Sequence, residues 1–193
     1  MIYIYRMFEA VIASIKTYGN FSTKDLDEIT GRLKVLALKK NNVVIKEGDT
    51  CRQFYFINHG SLRQYMIQDD GTEAILNLYV DHDWAFDYKS FMTQQPAAAI
   101  LLAAEDTELF ELNALDFHEL VKISDGFFRL GKIFEQAIIN LDYQNNRITP
   151  EEKYQLLLKK KPAILQKFAL KWIASYLGMA PETLSRIRRR SIS

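Results

Sequence analysis

The spacing of apolar and polar positions divides the chain into three parts. Residues 1–30 have a helical period, and residues 33–112 contain short apolar runs separated by turn sequences at intervals of roughly 11 residues. From residue 116 the period returns to about 3.6. The first helical part has an apolar side formed by Phe8, Val11, Ile12 and Ile15. The order predicts an α+β chain: a helix, a small all-β unit and further helices.

The middle part is typical of a closed β structure. Residues 43–45, 53–57 and 74–78 are apolar runs with strand-forming side chains. Asp69-Asp70-Gly71-Thr72 has the composition of a hairpin turn. Short strands with regularly spaced turns indicate a β-sandwich or barrel.

A long apolar stripe begins at residue 127, and it has two interpretations. In the first interpretation, the helix that carries the stripe packs only against the barrel of its own chain. In the second, it pairs with the same helix of a second copy. The continuous period favours a partner helix. The predicted dimer contacts are Phe127, Leu130, Phe134, Ala137, Ile138 and Leu141.

The last part of the chain has the spacing of two short helices joined by a tight turn. Gly178 falls where the first helix must stop, because glycine tolerates positive φ. Pro181 suits the first turn of the second helix, where a missing N–H costs nothing. The predicted inward-facing residues are Ile173, Ala174, Leu177, Leu184 and Ile187. This spacing predicts a helix-turn-helix, whose second helix enters the DNA major groove.

The other face of the second helix carries groups that can contact base edges. At about 100° per residue, this face holds Glu182, Ser185, Arg186 and Arg189, the predicted base contacts. Arginine pairs bidentately with guanine, and glutamate accepts from N4 of cytosine. The alternative is an ordinary solvated face whose basic end suits the helix dipole.

Charge distinguishes this part from the rest of a chain with a net charge of +1. Residues 147–193 contain 11 basic and 3 acidic residues, which gives a net charge of +8. Residues 1–146 contain 14 basic and 21 acidic residues, which gives a net charge of −7. A basic segment of this kind is typical of a phosphate binder. The predicted phosphate contacts are Lys159, Lys160, Lys171, Thr183, Arg188 and Arg190, with Lys161 and Lys167 as further candidates. For the cluster 159–161, a solvated lysine-rich loop is the alternative.

Three stretches resemble the Crp/Fnr family of bacterial transcription regulators. Lys46-Glu47-Gly48-Asp49 with residues 54–63 is similar to the family's early barrel strands, and Asp70-Gly71-Thr72-Glu73 is similar to the next hairpin. Ala180-Pro181-Glu182-Thr183-Leu184-Ser185-Arg186 is similar to the recognition-helix motif, in which a Glu and an Arg four residues apart contact bases. Glu182 and Arg186 occupy these positions, whereas Pro181 stands where the family has its first recognition arginine.

The resemblance covers nearly the whole chain and implies its organisation. Residues 1–115 form a jelly-roll barrel (a double-stranded β-helix) of the cyclic-nucleotide-binding type, 116–146 a dimerisation helix, and 147–193 the helix-turn-helix. The family's DNA-binding domain continues into a β-wing, and because the chain ends at Ser193 we expect a truncated winged helix.

The family's cyclic-nucleotide site can be compared with this chain residue by residue. Binding members have a Gly-Glu pair and, about ten residues later, an Arg-Ser pair. When this chain is aligned with that pattern without gaps, Phe86-Asp87 replaces the Gly-Glu pair and Ala97-Ala98 replaces the Arg-Ser pair. A buried phosphate without a cation binds poorly, so we predict no tight binding of cAMP or cGMP. The aromatic residues of the region either fill the core or form a pocket for an unknown effector. The candidates are Tyr79, Trp84, Phe86, Asp87, Tyr88, Phe91, Ala97 and Ala98.

Several functional classes are not expected. One cysteine and three dispersed histidines do not supply an iron–sulfur, haem or metal site, so we expect no cofactor. Because glycine-rich phosphate loops and nucleophile elbows are also missing, we expect no enzyme activity. No apolar run reaches the length of a membrane span, and the single cysteine suits a reducing cytoplasm.

The expected function is therefore DNA-binding transcription regulation. The expected partners are double-stranded DNA, a second copy of the chain, RNA polymerase as a candidate, and an unknown small-molecule effector. The alternative function is a jelly-roll regulatory protein that acts through protein contacts, with weak or lost DNA binding. Salt-sensitive binding to duplex DNA distinguishes the two.

Overall fold

A computed structural model of the protein describes residues 6–135 and 148–192, with side chains up to Arg190. Two helices open it, α1 (Glu9–Tyr18) and α2 (Thr23–Thr30). The predicted apolar side of α1 is buried, including Phe8 just before the helix. The helix α2 begins at a capping box, in which the side chains of Ser22 and Asp25 each accept a backbone N–H of the other residue.

The described strands form the jelly roll that the sequence predicts. Two four-stranded antiparallel sheets have the orders β1-β8-β3-β6 and β2-β7-β4-β5. A short helix, α3 (Tyr88–Thr93), lies between β6 and β7. The strands are β1 (Lys34–Leu38), β2 (Val43–Ile45), β3 (Gln53–His59), β4 (Leu62–Ile67), β5 (Glu73–Tyr79), β6 (Trp84–Ala85), β7 (Ile100–Ala103) and β8 (Thr107–Asn113).

The predicted hairpin joins β4 and β5. Gln68 donates its N–H to the carbonyl of Thr72 at 2.8 Å, and Gly71 has a φ of 81°. A second glycine with positive φ, Gly60 (113°), lies between β3 and β4, where Thr107 is directly against its Cα. Glycine permits both the backbone conformation and the close approach.

The region after the barrel differs from the predicted single helix. The helix α4 (Ala114–Ile123) ends at Ser124, whose backbone is extended with a φ of −152°, and a 3₁₀ helix (Asp125–Gly131) follows. Residues 132–135 are helical again. The serine hydroxyl accepts the N–H of Gly126 and starts the new segment.

This break changes the interpretation of the apolar stripe. Phe127 and Leu130 are 0% and 1% exposed in the core of their own barrel, so they have no surface left for a partner. Their prediction as dimer contacts is therefore wrong. Phe134 also packs against this core, with its ring 5.5 Å from that of Phe54. The other predicted dimer contacts, Ala137, Ile138 and Leu141, lie outside the described residues.

Four helices make up the described C-terminal part: α5 (Pro150–Lys160), α6 (Pro162–Lys167), α7 (Leu170–Tyr176) and α8 (Pro181–Ile192). Thr149 and Glu152 form a capping box at the start of α5. The five predicted inward-facing residues of the last two helices are all buried. These helices pack on the outer face of the second sheet. The shared core includes Tyr65, Ile75, Leu78, Val80 and Leu102 from the barrel.

Candidate nucleic-acid interface and sensor cavity

The helix α8 presents its predicted base contacts on one outward face. Glu182, Arg186 and Arg189 are exposed and Ser185 is half-buried. These four side chains border a shallow groove together with Pro181 and Leu170. A helix that buries one side against α7 and leaves these groups on the other has the geometry that base contacts require.

The turn before α8 is built from local hydrogen bonds. Gly178 has a φ of 67°, and its N–H donates to the carbonyl of Ser175 at 3.0 Å. The N–H of Met179 donates to the carbonyl of Ala174 at 3.0 Å, which closes the end of α7. These bonds fix the position of the second helix relative to the first.

A buried lysine supports the same turn and was not predicted from the sequence. Lys153 of α5 is 4% exposed, and its ammonium donates to the carbonyl of Leu177 at 3.3 Å. A cation at the end of a helix satisfies a free carbonyl and suits the dipole. Nothing in the polar sequence around Lys153 distinguishes it from solvated lysines.

The predicted phosphate contacts are on the surface of the C-terminal part. Lys159 and Lys160 are exposed at the end of α5, Lys171 is exposed near the start of α7, and Arg188 and Arg190 are exposed on α8. Thr183 is half-buried, and its hydroxyl accepts a hydrogen bond from Arg186 at 3.3 Å.

Two further candidates, Lys161 and Lys167, bind the barrel instead. The ammonium of Lys161 lies 2.9 Å from both carboxylate oxygens of Asp83. The ammonium of Lys167 lies 2.8 Å from Asp81 and 3.0 Å from Glu105. Because their positive charges are already paired with carboxylates, the expectation that these two lysines contact phosphate is corrected.

The pairing of Lys167 shifts the pKa of both partners. Partial burial alone would lower the pKa of Lys167, but the carboxylates of Asp81 and Glu105 favour the ammonium and raise it overall. Burial alone would raise the pKa of Asp81, yet hydrogen bonds from Lys167 and the N–H of Gly60 lower it overall. The ion pair therefore stabilises the charged forms of both groups.

A cation–aromatic contact joins the helix-turn-helix to the same sheet. The guanidinium of Arg63 lies 4.4 Å from the ring centroid of Tyr65 and 4.6 Å from that of Trp172 in α7. Arg63 is only 8% exposed, and Glu73 pairs with it through two hydrogen bonds. Such contacts are stronger when the cation is desolvated.

The barrel contains a cavity of about 280 Å³ at the predicted effector site. Most of the predicted residues line it: Tyr79, Phe86, Asp87, Tyr88, Ala97 and Ala98. Within the described structure, Trp84 and Phe91 are not among its lining residues. The indole N–H of Trp84 donates to Ser14 at 3.1 Å, and the ring of Phe91 lies 4.3 Å from that of Phe54. These two aromatic residues fill the core, as the alternative interpretation predicts.

A chain of hydrogen bonds lines one side of the cavity. Asp87 is 6% exposed; one carboxylate oxygen accepts the N–H of Ser90 and the other accepts the amide of Gln64, both at 2.8 Å. The carbonyl oxygen of Gln64 accepts the amide of Asn77 at 2.8 Å. The sequence patterns used above do not distinguish Gln64 or Asn77, although a polar residue at an inward strand position is a usable signal.

The cavity lacks the arrangement that holds a cyclic phosphate. Ala97 and Ala98, which the ungapped comparison with the family places at its Arg-Ser pair, line the cavity without charge or side-chain donor. Lys89 is the one basic residue among the described residues that line it, and it is exposed. In residues 6–135 and 148–192, no cluster of potential metal ligands was found, and no helix is long and apolar enough to cross a membrane.

Comparisons with known proteins agree with this architecture. The family profile of the cyclic nucleotide-binding domain matches residues 35–124. The transcriptional activator protein Anr of Pseudomonas aeruginosa is 26% identical in a match that covers 86% of this chain and 72% of Anr.

Solved structures show the same fold. FixK2 from Bradyrhizobium japonicum superposes with a TM-score of 0.64 at 15% identity, over 82% of this chain and 83% of FixK2. A transcriptional regulator of the Crp/Fnr family from Eubacterium rectale has a TM-score of 0.57 at 19% identity, over 91% of this chain and 87% of its own. With the matched domain and the sequence relatives, these findings show that the chain is similar to transcription regulators of the Crp/Fnr type and shares their fold.

Proposed function

We propose that the chain acts as a homodimer that binds a palindromic DNA site through α8. The observation that carries this proposal is the outward face of α8, where Glu182 and Arg186 lie four residues apart above a buried apolar side. The surrounding segment has a net charge of +8, which favours binding to the phosphate backbone. Base contacts then supply the sequence preference.

The dimer is proposed because one recognition helix covers only a half-site. Two copies related by a two-fold axis would place their α8 helices about one helical turn of DNA apart. Ala137, Ile138 and Leu141 remain the proposed contacts between copies. Light scattering at increasing concentration tests this point, and a monomer at every concentration contradicts it.

The remaining parts of the proposal follow from the relatives and from the surface. We place the protein in the cytoplasm, without enzyme activity, with RNA polymerase as a partner, because Anr is named a transcriptional activator. Lys159, Lys160, Lys171, Thr183, Arg188 and Arg190 are the proposed phosphate contacts. The cavity in the barrel is the proposed effector site.

Selection of bound sequences from a random DNA duplex pool tests the function. The wild-type protein should enrich a palindrome, whereas Arg186→Ala should lose discrimination of about 1–3 kcal/mol at one base pair of each half-site. Arg52→Ala, which removes an exposed arginine of the barrel, is the matched control and should enrich the wild-type motif. The absence of enrichment by the wild-type protein would instead favour a regulator that acts through protein contacts.

A further inference from the structure

The groove beside α8 has an apolar end. Leu170, the first residue of α7, and Pro181, the first residue of α8, line it together with the predicted base contacts. Pro181 is exposed, and Leu170 is half-buried and packs partly against the core of the helix-turn-helix. Two apolar side chains from two helices therefore border the surface that is proposed to face the DNA bases.

This end of the groove offers no side-chain hydrogen-bond donor among the described residues that line it. Leu170 is apolar, and Pro181 has neither a polar side chain nor a backbone N–H. The neighbouring carboxylate of Glu182 only accepts hydrogen bonds. Donors begin with Ser185 and Arg186, about one helical turn further along α8. A guanine at the start of the helix, whose N7 and O6 both need a donor, would therefore have no side chain to bind.

An apolar contact can still distinguish one base in the major groove. Thymine presents its 5-methyl group there, whereas the other distinguishing groups of the base edges are hydrogen-bond donors and acceptors. The net charge of +8 on residues 147–193 favours the approach of this surface to DNA, whose phosphates flank the groove. The chemistry of Leu170 and Pro181 thus matches the one methyl group that the DNA groove contains.

The order of the side chains along α8 indicates where this base lies. Pro181 and Arg186 are five residues apart on the helix. At a rise of about 1.5 Å per residue, they are separated by about 7.5 Å along the axis. This distance corresponds to about two base-pair steps of 3.4 Å. The base next to Pro181 should therefore lie within about two base pairs of the base that Arg186 contacts.

We propose that Leu170 and Pro181 contact the methyl group of a thymine within two base pairs of the base pair that Arg186 reads. Pro181 stands where the Crp/Fnr recognition motif has an arginine, so an apolar base contact replaces a hydrogen-bonded one. The proposal rests on the proposed function, because it assigns a base preference to the recognition helix.

Replacement of thymine by uracil tests the contact, because uracil lacks only the methyl group and keeps the same donors and acceptors. The wild-type protein should select a half-site with thymine within two base pairs of the position whose preference Arg186→Ala loses. Uracil at this position should weaken binding about fourfold in one half-site and about 15-fold in both, as expected for the loss of one and two buried methyl groups. Uracil at a thymine outside the half-sites is the control and should have little effect. Fluorescence anisotropy at a fixed salt concentration measures the affinities.

Variants assign the effect to the two side chains. Leu170→Ala and Pro181→Ala should each lower the ratio of the affinities for the thymine and uracil sites, and the double variant should bind both sites nearly equally. Leu165→Ala is the matched control, because Leu165 is also half-buried against the same core but is not among the residues that line the groove. It should keep the full ratio. A ratio that stays unchanged in both groove variants overturns the assignment.

The outcomes separate this proposal from the DNA-binding proposal. Equal affinity of the wild-type protein for the thymine and uracil sites overturns the methyl contact and leaves DNA binding intact. A palindrome that depends on Arg186 but has no thymine in the stated range does the same. The absence of any enriched sequence removes both proposals. If Leu170→Ala fails to fold in circular dichroism, Pro181→Ala, a change at an exposed position, still decides the assignment.

Discussion

At the scale of single residues, five lysines between residues 159 and 171 divide into two groups by what their ammonium groups touch. Lys159, Lys160 and Lys171 are exposed on the surface of the basic segment. Lys161 and Lys167 are paired with carboxylates of the barrel. The same side chain therefore has two expected roles. The first group is expected to contact DNA phosphates, and the second group holds the C-terminal helices against the barrel.

The two groups should differ in the salt dependence of DNA binding. Lys159→Ala should weaken binding to all sequences alike and reduce the salt slope by about 1, because one fewer counterion is released. Lys161→Ala is the matched comparison; it should leave the slope unchanged and lower the thermal unfolding temperature. Affinity measured across a salt series checks both, and equal slopes for Lys159→Ala and wild type contradict the assignment.

Two glycines with positive φ differ in what surrounds the missing side chain. A methyl group at Gly60 would collide with the backbone and side chain of Thr107, whereas a methyl at Gly71 would meet open space. Gly71→Ala should lower the free energy of unfolding by about 1–2 kcal/mol, which is the cost of a positive φ for a residue with a Cβ. Gly60→Ala should cost more, because Thr107 must also shift. Urea denaturation of both variants measures the difference, and equal losses of stability would show that the contact is unimportant.

At the scale of elements, α3 determines what the barrel can bind. Its cap Asp87 lines the cavity together with the loop residues Ala97 and Ala98. The helix brings a carboxylate to the cavity, while the loop brings methyl groups. Apart from the exposed Lys89, the described residues that line the cavity offer no cation to an anion.

Calorimetric titration of the protein with cAMP and cGMP should therefore show no tight binding. The physical reason is that Ala97 supplies no cation for the phosphate and Asp87 repels it. A low-micromolar dissociation constant for either nucleotide would contradict this prediction.

At the scale of the whole molecule, the helix-turn-helix is docked on the barrel by ionic and aromatic contacts. Lys161 and Lys167 bind carboxylates of the barrel, and Arg63 stacks on Trp172. The apolar part of the interface belongs to the same buried cluster as the core of the helix-turn-helix. The position of α8 therefore depends on the outer face of the sheet.

The contribution of Lys167 to stability should depend on pH. The pKa of Asp81 is lowered, so the pair stabilises the fold fully above the ordinary carboxyl pKa of about 4 and is lost as pH falls through the lowered value. The pKa of Lys167 is raised, so on the alkaline side the contribution is lost as pH rises above about 10 towards the raised value. Between these limits the contribution of the pair to the free energy of unfolding should be constant.

Urea denaturation of wild type and Lys167→Met from pH 3 to 9 measures this dependence. The difference in free energy of unfolding should be level from about pH 5 to pH 9 and should shrink below about pH 4. Lys16→Met, an exposed lysine of α1, is the control and should show little difference at any pH. A difference for Lys167→Met that grows on acidification would contradict the ion-pair account.

Local patterns in the sequence determined the elements and the recognition helix. The spacing around Gly178 and Pro181 predicts the turn and the buried side of α8, and the apolar run of strand-forming side chains in residues 53–57 predicts β3. These features depend on residues a few positions apart, where helical period, strand alternation and turn chemistry operate. The same patterns predict a β-sandwich or barrel and the outward face of α8, whereas the jelly roll is what the resemblance to the Crp/Fnr family implies.

The tertiary structure alone decided which groups meet across long separations. A register shift between β4 and β5 places Ile75 and Leu78 in the helix-turn-helix interface and Asn77 at the cavity, which simple alternation does not predict. Docking pairs Lys161 with Asp83, 78 residues apart. Packing likewise buries Phe127 in its own barrel. Such contacts depend on how whole elements dock, which periodicity within one element does not encode.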